Sequence, residues 1–242
     1  MHIDVWADVA CPWCYLGIRH LRAALADFEH APGVEVVLHA YFLDPELAEA
    51  LDVSEAEYLM AHKGVEREQV DRMHDRLVAL GREEGVAFDF DRLVVVPTSN
   101  AHRVIAAARE TDLAAGTESG ADTVQLRLAE AIDRAHFERG LDVSDANVLI
   151  GCAQDVGMAA DEVVAALADE SRASEVFSDY QIAVQMGVDS VPTFLIDRRF
   201  VVQGGQPVAA LANALDTAWT QIHGDGGSAA PVGAVGEEAG RE

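Results

Sequence analysis

The period of the apolar positions changes five times along the chain. His2–Asp8 (HIDVWAD) alternates apolar and polar residues, the two-residue period of a strand. Pro12–His30 sets Leu16, Ile18, Leu21, Ala24, Leu25 and Phe28 at helical spacing. Pro12 falls in the first turn, where its missing N–H costs nothing. Gly33–Leu43 (GVEVVLHAYFL) is rich in β-branched residues and predicts a second strand. Strand, helix and strand in such close succession make a βαβ unit, with parallel strands and a right-handed crossover.

From Asp44 to about Gly187 the pattern is helical. Ser54 and Glu57 form a capping box ahead of YLMAHKG, and Val70, Met73, Leu77 and Leu80 make an apolar stripe best explained by core packing. After Pro97, SNAHRVIAAARE opens a helix for which Ser99 or Asn100 is the expected cap. TVQLRLAEAIDRAHFERG stops at Gly140 and SDANVLIGCAQDVG at Gly157, both placed as C′ glycines. ADEVVAALAD and SEVFSDYQIAVQMG follow as further helices.

The period then returns to two. SVPTFLID (Ser190–Asp197) and FVVQGG (Phe200–Gly205) are separated by Arg198-Arg199, a link short enough only for a hairpin. Pro207–Ile222 (PVAALANALDTAWTQI) is a closing helix, with Leu211, Leu215 and Trp219 on one face. The predicted order is β-α-β, a helical block, then α-β-β-α: an α/β protein whose two outer parts share a mixed four-stranded sheet. Residues 1–43 and 188–223 are expected to form one discontinuous domain and 44–187 a large helical insertion. Residues 224–242 have too little apolar surface to order themselves and are expected to be a disordered tail.

Charge narrows the partners. Asp and Glu number 42 against 17 Lys and Arg, a formal charge of −25, so polyphosphate and anionic membrane surfaces are repelled and no nucleic acid or membrane partner is expected. Lys63 is the single lysine. Such a surface suits a salt-rich cytoplasm, and equally drift in an arginine-rich genome. No apolar run approaches the roughly 18 residues of a membrane span, and the first residues lack a basic segment followed by an apolar core. A cytoplasmic protein is the expectation, with monomer and homodimer both open.

The chemistry centres on DVACPWCYLG. Cys11 and Cys14 lie three apart at a helix start, on one face and within reach of disulfide geometry. Cys11 sits where free N–H groups and the helix dipole favour a sulfur anion, and Cys14 lies further inside. Cys11 is therefore the expected nucleophile and Cys14 the resolving thiol, with Pro12 stiffening the turn and Trp13 offering an apolar surface. Zinc needs two more nitrogen or sulfur ligands, usually from a second close pair. Cys152 lies alone in an apolar helix and His20 and the other histidines are scattered, so no metal is expected. A redox couple fits best, inert buried thiols being the remaining alternative.

In VPTF, Pro192 opens a strand and withholds a ladder donor, and Val191 before it is biased to extended backbone. DVACPWCYLG, VPTFLID and GGQP together resemble the DsbA-like thioredoxin family. More narrowly they are similar to its cytoplasmic branch, which includes dithiol-disulfide isomerases of polyketide gene clusters. SNAHRVIAAA and AHFERGLDVSDANVLIGCAQDVG extend the likeness over about Ile3–Ile222. The resemblance implies a thioredoxin-like fold with a helical insertion, a redox-active Cys11–Cys14 pair, a cis-proline at Pro192 and no cofactor. It also implies that Asn100 and His102 lie near the active-site groove, although a helix cap and a surface histidine explain them as well. Asp8 reads either as a buried proton-relay carboxylate or as a polar strand end. Where the periplasmic founders carry a histidine, this chain has Trp13, so a less oxidising couple is expected.

The implied activity is thiol-disulfide exchange on a protein or small-molecule thiol or disulfide, glutathione being compatible. The same fold hosts glutathione-dependent isomerases such as 2-hydroxychromene-2-carboxylate isomerase and kappa-class transferases. Those generally carry serine at the first motif position, so the intact pair argues against that alternative. A non-enzymatic redox sensor is a third reading.

Overall fold

The computed structural model describes residues 1–224. The expected tail lies outside them except for Gly224. The first strand, β1 (His2–Ala7), leads through a tight turn into α1 (Pro12–Ala26), and β2 (Glu35–Ala40) follows. β1 and β2 pair in parallel, Ile3 opposite Val36 and Val5 opposite Leu38. β2 is shorter at both ends than the apolar run: Gly33 belongs to a 3-10 turn capped by Val34, and the chain leaves the sheet after Tyr41, whose N–H still bonds the Ala7 carbonyl.

Next come β3 (Leu51–Ser54), α2 (Glu55–Lys63), α3 (Arg67–Glu83), β4 (Val94–Val95), α4 (Ser99–Ala115), α5 (Val124–Phe137), α6 (Ala146–Asp155), α7 (Ala160–Ala168) and α8 (Glu170–Gln185). The expected all-helical block thus contains a small antiparallel pair, β3 with β4. The capping box on α2 is formed as expected: the Glu57 N–H donates to Ser54 Oγ and the Ser54 N–H to the Glu57 carboxylate. The cap expected at Ser99 or Asn100 is not. Thr98 holds that position without a side-chain bond, and Asn100 is already in the helix.

β5 (Thr193–Ile196), β6 (Phe200–Gln203) and α9 (Val208–His223) complete the described chain. β5 runs antiparallel to β1, giving the order β2-β1-β5-β6 of a mixed four-stranded sheet. The expected hairpin is there, but its turn centres on Asp197 and Arg198, at φ 50° and 56°, rather than on Arg198-Arg199. Two left-handed residues match the twist of a tight hairpin. Pairing begins at Thr193, after the donor-less Pro192.

One cluster of buried residues runs through sheet and helices, from Ile3, Val5 and Phe194 to Leu126, Ile132, Leu149 and Val163. α1 lies against α5 and α9, while α4 and α8 lie against β2. Arg19 and Arg22 of α1 both pair with Glu130 of α5. A second cluster joins Tyr15 and Leu16 of α1 to Leu77, Phe88 and Phe137. The helix that carries the cysteines is therefore anchored by helices that lie between β2 and β5 in the chain.

Candidate active site

The loop Asp8–Cys11 closes with the Cys11 N–H on the Asp8 carbonyl, 3.0 Å away. Cys11 is the N-cap of α1 in extended conformation, and its carbonyl accepts from the Cys14 and Tyr15 N–H groups at 2.9 and 3.3 Å. Pro12 occupies the first helical position, where the absent donor and preset φ suit a helix start. Both thiols are free and buried, with Cys11 6% and Cys14 1% exposed. Burial, reinforced by the hydrogen bond and charge of Cys11, holds the Cys14 thiol well above the ordinary cysteine range. Cys14 therefore keeps its proton.

The Val191–Pro192 peptide is cis. Cys11 Sγ lies 3.7 Å from the Val191 carbonyl oxygen. Gly17, one turn beyond Cys14, permits this approach, since a Cβ there would stand 2.7 Å from Pro192 Cγ. A lone glycine in an otherwise helical pattern is a readable signal of close packing, and sequence reasoning passed over it.

Trp13 is half-buried. The Arg76 guanidinium stands over its ring, 5.3 Å from the centroid. On its other contact, Gly205 comes so close that a Cβ would lie 3.2 Å from the ring. His20 fixes that glycine loop: Nδ1 bonds the Gln206 carbonyl and Nε2 the Glu84 carboxylate, each at 2.6 Å. His20 was legible only as an isolated histidine.

Asp8 is 3% exposed, and its carboxylate accepts from the Leu43 N–H at 2.7 Å, the Ala10 N–H at 3.3 Å and His102 Nε2 at 3.2 Å. His102 is itself buried, edge-on to Phe42. The expected Asp8 and His102 thus meet directly beneath the cysteine turn. Asn100 does not join them, because its amide donates to the Ser144 carbonyl at 2.9 Å. Asp133 of α5 is a buried carboxylic acid close to this group that the sequence reading missed. The face of α5 holding Leu126, Ala129 and Ile132 also holds Asp133, an acid in an apolar stripe.

A family model described as a DSBA-like thioredoxin domain matches residues 2–216. The chain belongs to the DSBA-like thioredoxin family. No curated protein matches this DSBA-like chain. Among solved structures, a probable DsbA oxidoreductase from Streptomyces coelicolor is 33% identical, covers 99% of this chain and 95% of its own, and superposes with TM-score 0.79. A cytosolic disulfide reductase, DsbM from Pseudomonas aeruginosa, solved with GSH, is 20% identical with 90% and 98% coverage and TM-score 0.63. A 2-hydroxychromene-2-carboxylate isomerase, at 13% identity, 92% and 98% coverage and TM-score 0.65, has the same fold. In this DSBA-like protein the cysteines stand at the start of α1 and the cis-proline faces them across the sheet end.

Proposed function

We propose that this protein is a thiol-disulfide oxidoreductase or isomerase that works in the cytoplasm through the Cys11–Cys14 couple. Cys11 thiolate attacks a substrate disulfide, forming a mixed disulfide and expelling one substrate thiolate. Cys14 then loses its proton and attacks the Cys11 sulfur, which forms the Cys11–Cys14 bond and releases the second substrate thiol. The electron pair passes from the dithiol to the substrate; the same steps reversed oxidise a dithiol.

The observation that carries this reading is the placing of both thiols in the first turn of α1, with Cys11 Sγ 3.7 Å from the Val191 carbonyl. The Val191 N–H makes no hydrogen bond with any described residue, which suits an extended substrate segment pairing there by strand addition. Leu43, whose N–H bonds the Asp8 carboxylate, and Phe177, whose ring lies 6.5 Å from that of Phe42, expose apolar side chains that suit a protein or peptide disulfide. A small thiol such as glutathione fits the same chemistry. No described helix is long and apolar enough to cross a membrane.

Turnover in an insulin-reduction assay tests the proposal. The wild type should reduce insulin disulfides with a thiol reductant present, and Cys11→Ser should be inactive. Retained activity in Cys11→Ser contradicts the mechanism, and negligible turnover by the wild type points to a redox sensor.

A further inference from the structure

The loop Gly204–Gln206, between β6 and α9, touches both walls of the dithiol site. The Gly204 N–H donates to the Pro192 carbonyl at 2.7 Å, and a Cβ on Gly205 would lie 3.2 Å from the Trp13 ring and 3.2 Å from the Trp13 carbonyl oxygen. The loop is closed on itself. The Gln206 N–H bonds the Gly204 carbonyl and the Gln206 side-chain amide bonds the Gln203 carbonyl, each at 2.8 Å. It therefore moves as one piece, and a hold on Gln206 is a hold on Gly205. His20 supplies that hold. It lies two turns beyond Trp13 on the same face of α1, and its Nδ1 meets the Gln206 carbonyl at 2.6 Å. Glu84, which caps the end of α3, meets Nε2 on the other side at 2.6 Å.

We propose that His20 and Glu84 form a latch that holds this loop against Trp13 and Pro192, and so shapes the wall on which a peptide disulfide docks. His20 is then a positioning residue that acts through Gly205, and its role rests on the dithiol reading above. Both ring nitrogens of His20 face oxygens. The Gln206 carbonyl only accepts, so Nδ1 carries a hydrogen, and the contact with Glu84 needs a second proton shared between Nε2 and the carboxylate. Such a charge-assisted pair is stronger than a neutral hydrogen bond, and it fixes the ring plane that aims Nδ1 at the loop.

The latch borders open space. His20 and Glu84, with Arg19, Ala23, Glu130 and Val208, line a cleft of about 340 Å³, so on that side hydrogen bonds rather than close packing hold the pair. Glu130 does not compete for His20, since Arg19 and Arg22 both pair with it. Arg19 also donates to the Glu84 carbonyl at 3.0 Å, which sets the backbone from which the carboxylate reaches His20. The His20 side chain is 9% exposed and that of Glu84 30%, so Glu84 can be replaced without opening a cavity in the core.

Two measurements on the full chain test the latch: steady-state reduction of a synthetic peptide disulfide and of a small aromatic disulfide, and fluorine NMR of protein labelled with fluorotryptophan. His20→Ala and Glu84→Ala should each raise KM for the peptide by about tenfold, the bias a charge-assisted hydrogen bond gives a two-state loop, with kcat changed by less than about twofold. The small disulfide, which needs no docking wall, should react at the wild-type rate. Glu84→Gln, whose amide can donate to Nε2 of a neutral ring, should keep KM within about threefold of the wild type. The Trp13 resonance, assigned by Trp13→Phe, should shift in both alanine variants while those of Trp6 and Trp219 stay. An unchanged KM in Glu84→Ala, a loss confined to kcat, an unmoved Trp13 resonance, or a shift of all three resonances together overturns the latch. A wild type that reduces neither disulfide sinks the dithiol reading instead, and the fluorine spectra then still decide whether His20 and Glu84 hold the loop.

Discussion

The Sγ of Cys11 lies 3.7 Å from the carbonyl oxygen of Val191, a contact between residues 180 apart in sequence. It joins the first turn of α1 to the start of β5, and so brings the two sequence signals, CPWC and VPTF, to one point. Any segment that pairs with the Val191 backbone is thereby placed beside the Cys11 sulfur.

That contact depends on Gly17. A methyl at this position would meet Pro192 Cγ at 2.7 Å, against a ring held between α1 and β5. Gly17→Ala should lower stability by about 1–3 kcal/mol, the usual cost of overpacking. It should also slow insulin reduction through displacement of Pro192. Chemical denaturation and turnover on the same preparation check both effects, and unchanged values in both contradict the tight fit.

In the proposed mechanism, Trp13 is expected to set the strength of the couple. Its indole packs between Arg76 and Gly205 and cannot offer a charged donor to the neighbouring sulfur. A histidinium there could form a charge-assisted hydrogen bond with a sulfur anion. Trp13→His should therefore stabilise the reduced form and make the couple more oxidising. Equilibration with glutathione buffers should show at least a tenfold change, about 30 mV for a two-electron couple.

Stability should vary with pH through His39. Burial disfavours its charge, but hydrogen bonds to Asp179 and Asp4 outweigh that and push it up to about 9. The distances are 3.2 Å to Asp179 and 2.8 Å to Asp4. In the unfolded chain histidine titrates near 6.5, so the folded state holds the extra proton between these values. The stabilisation is complete below about pH 6.5 and is lost as pH rises through about 9. Its size is on the order of 2 kcal/mol for a partly exposed cluster. His39→Gln should flatten that alkaline slope. On the acid side His136 acts oppositely: burial holds it down to about 4, so stability falls as pH drops from about 6.5 towards 4.

Much of this fold was legible because the two periods differ so plainly. The βαβ unit, the hairpin after VPTF and the α2 capping box each rest on local pattern, and local pattern decided them. β3 and β4 were not legible, because LDVS and a bare VV carry too few residues to show a period. Thr98 took the cap position from Ser99 and Asn100, and Asn100 turned instead to the Ser144 carbonyl, a partner 44 residues away. Within the site, Cys11, Cys14 and Pro192 announce themselves by spacing. Gly17 and His20 do not, since each matters through a partner that only the tertiary fold supplies.

The central claim is that Cys11 attacks and Cys14 resolves. Cys14→Ala, incubated with a disulfide substrate and analysed by mass spectrometry under non-reducing conditions, tests it directly. A stable mixed disulfide on Cys11, absent from the Cys11→Ser protein and resolved rapidly in the wild type, is the predicted result. Adducts that form elsewhere, or that form equally without Cys11, would contradict it.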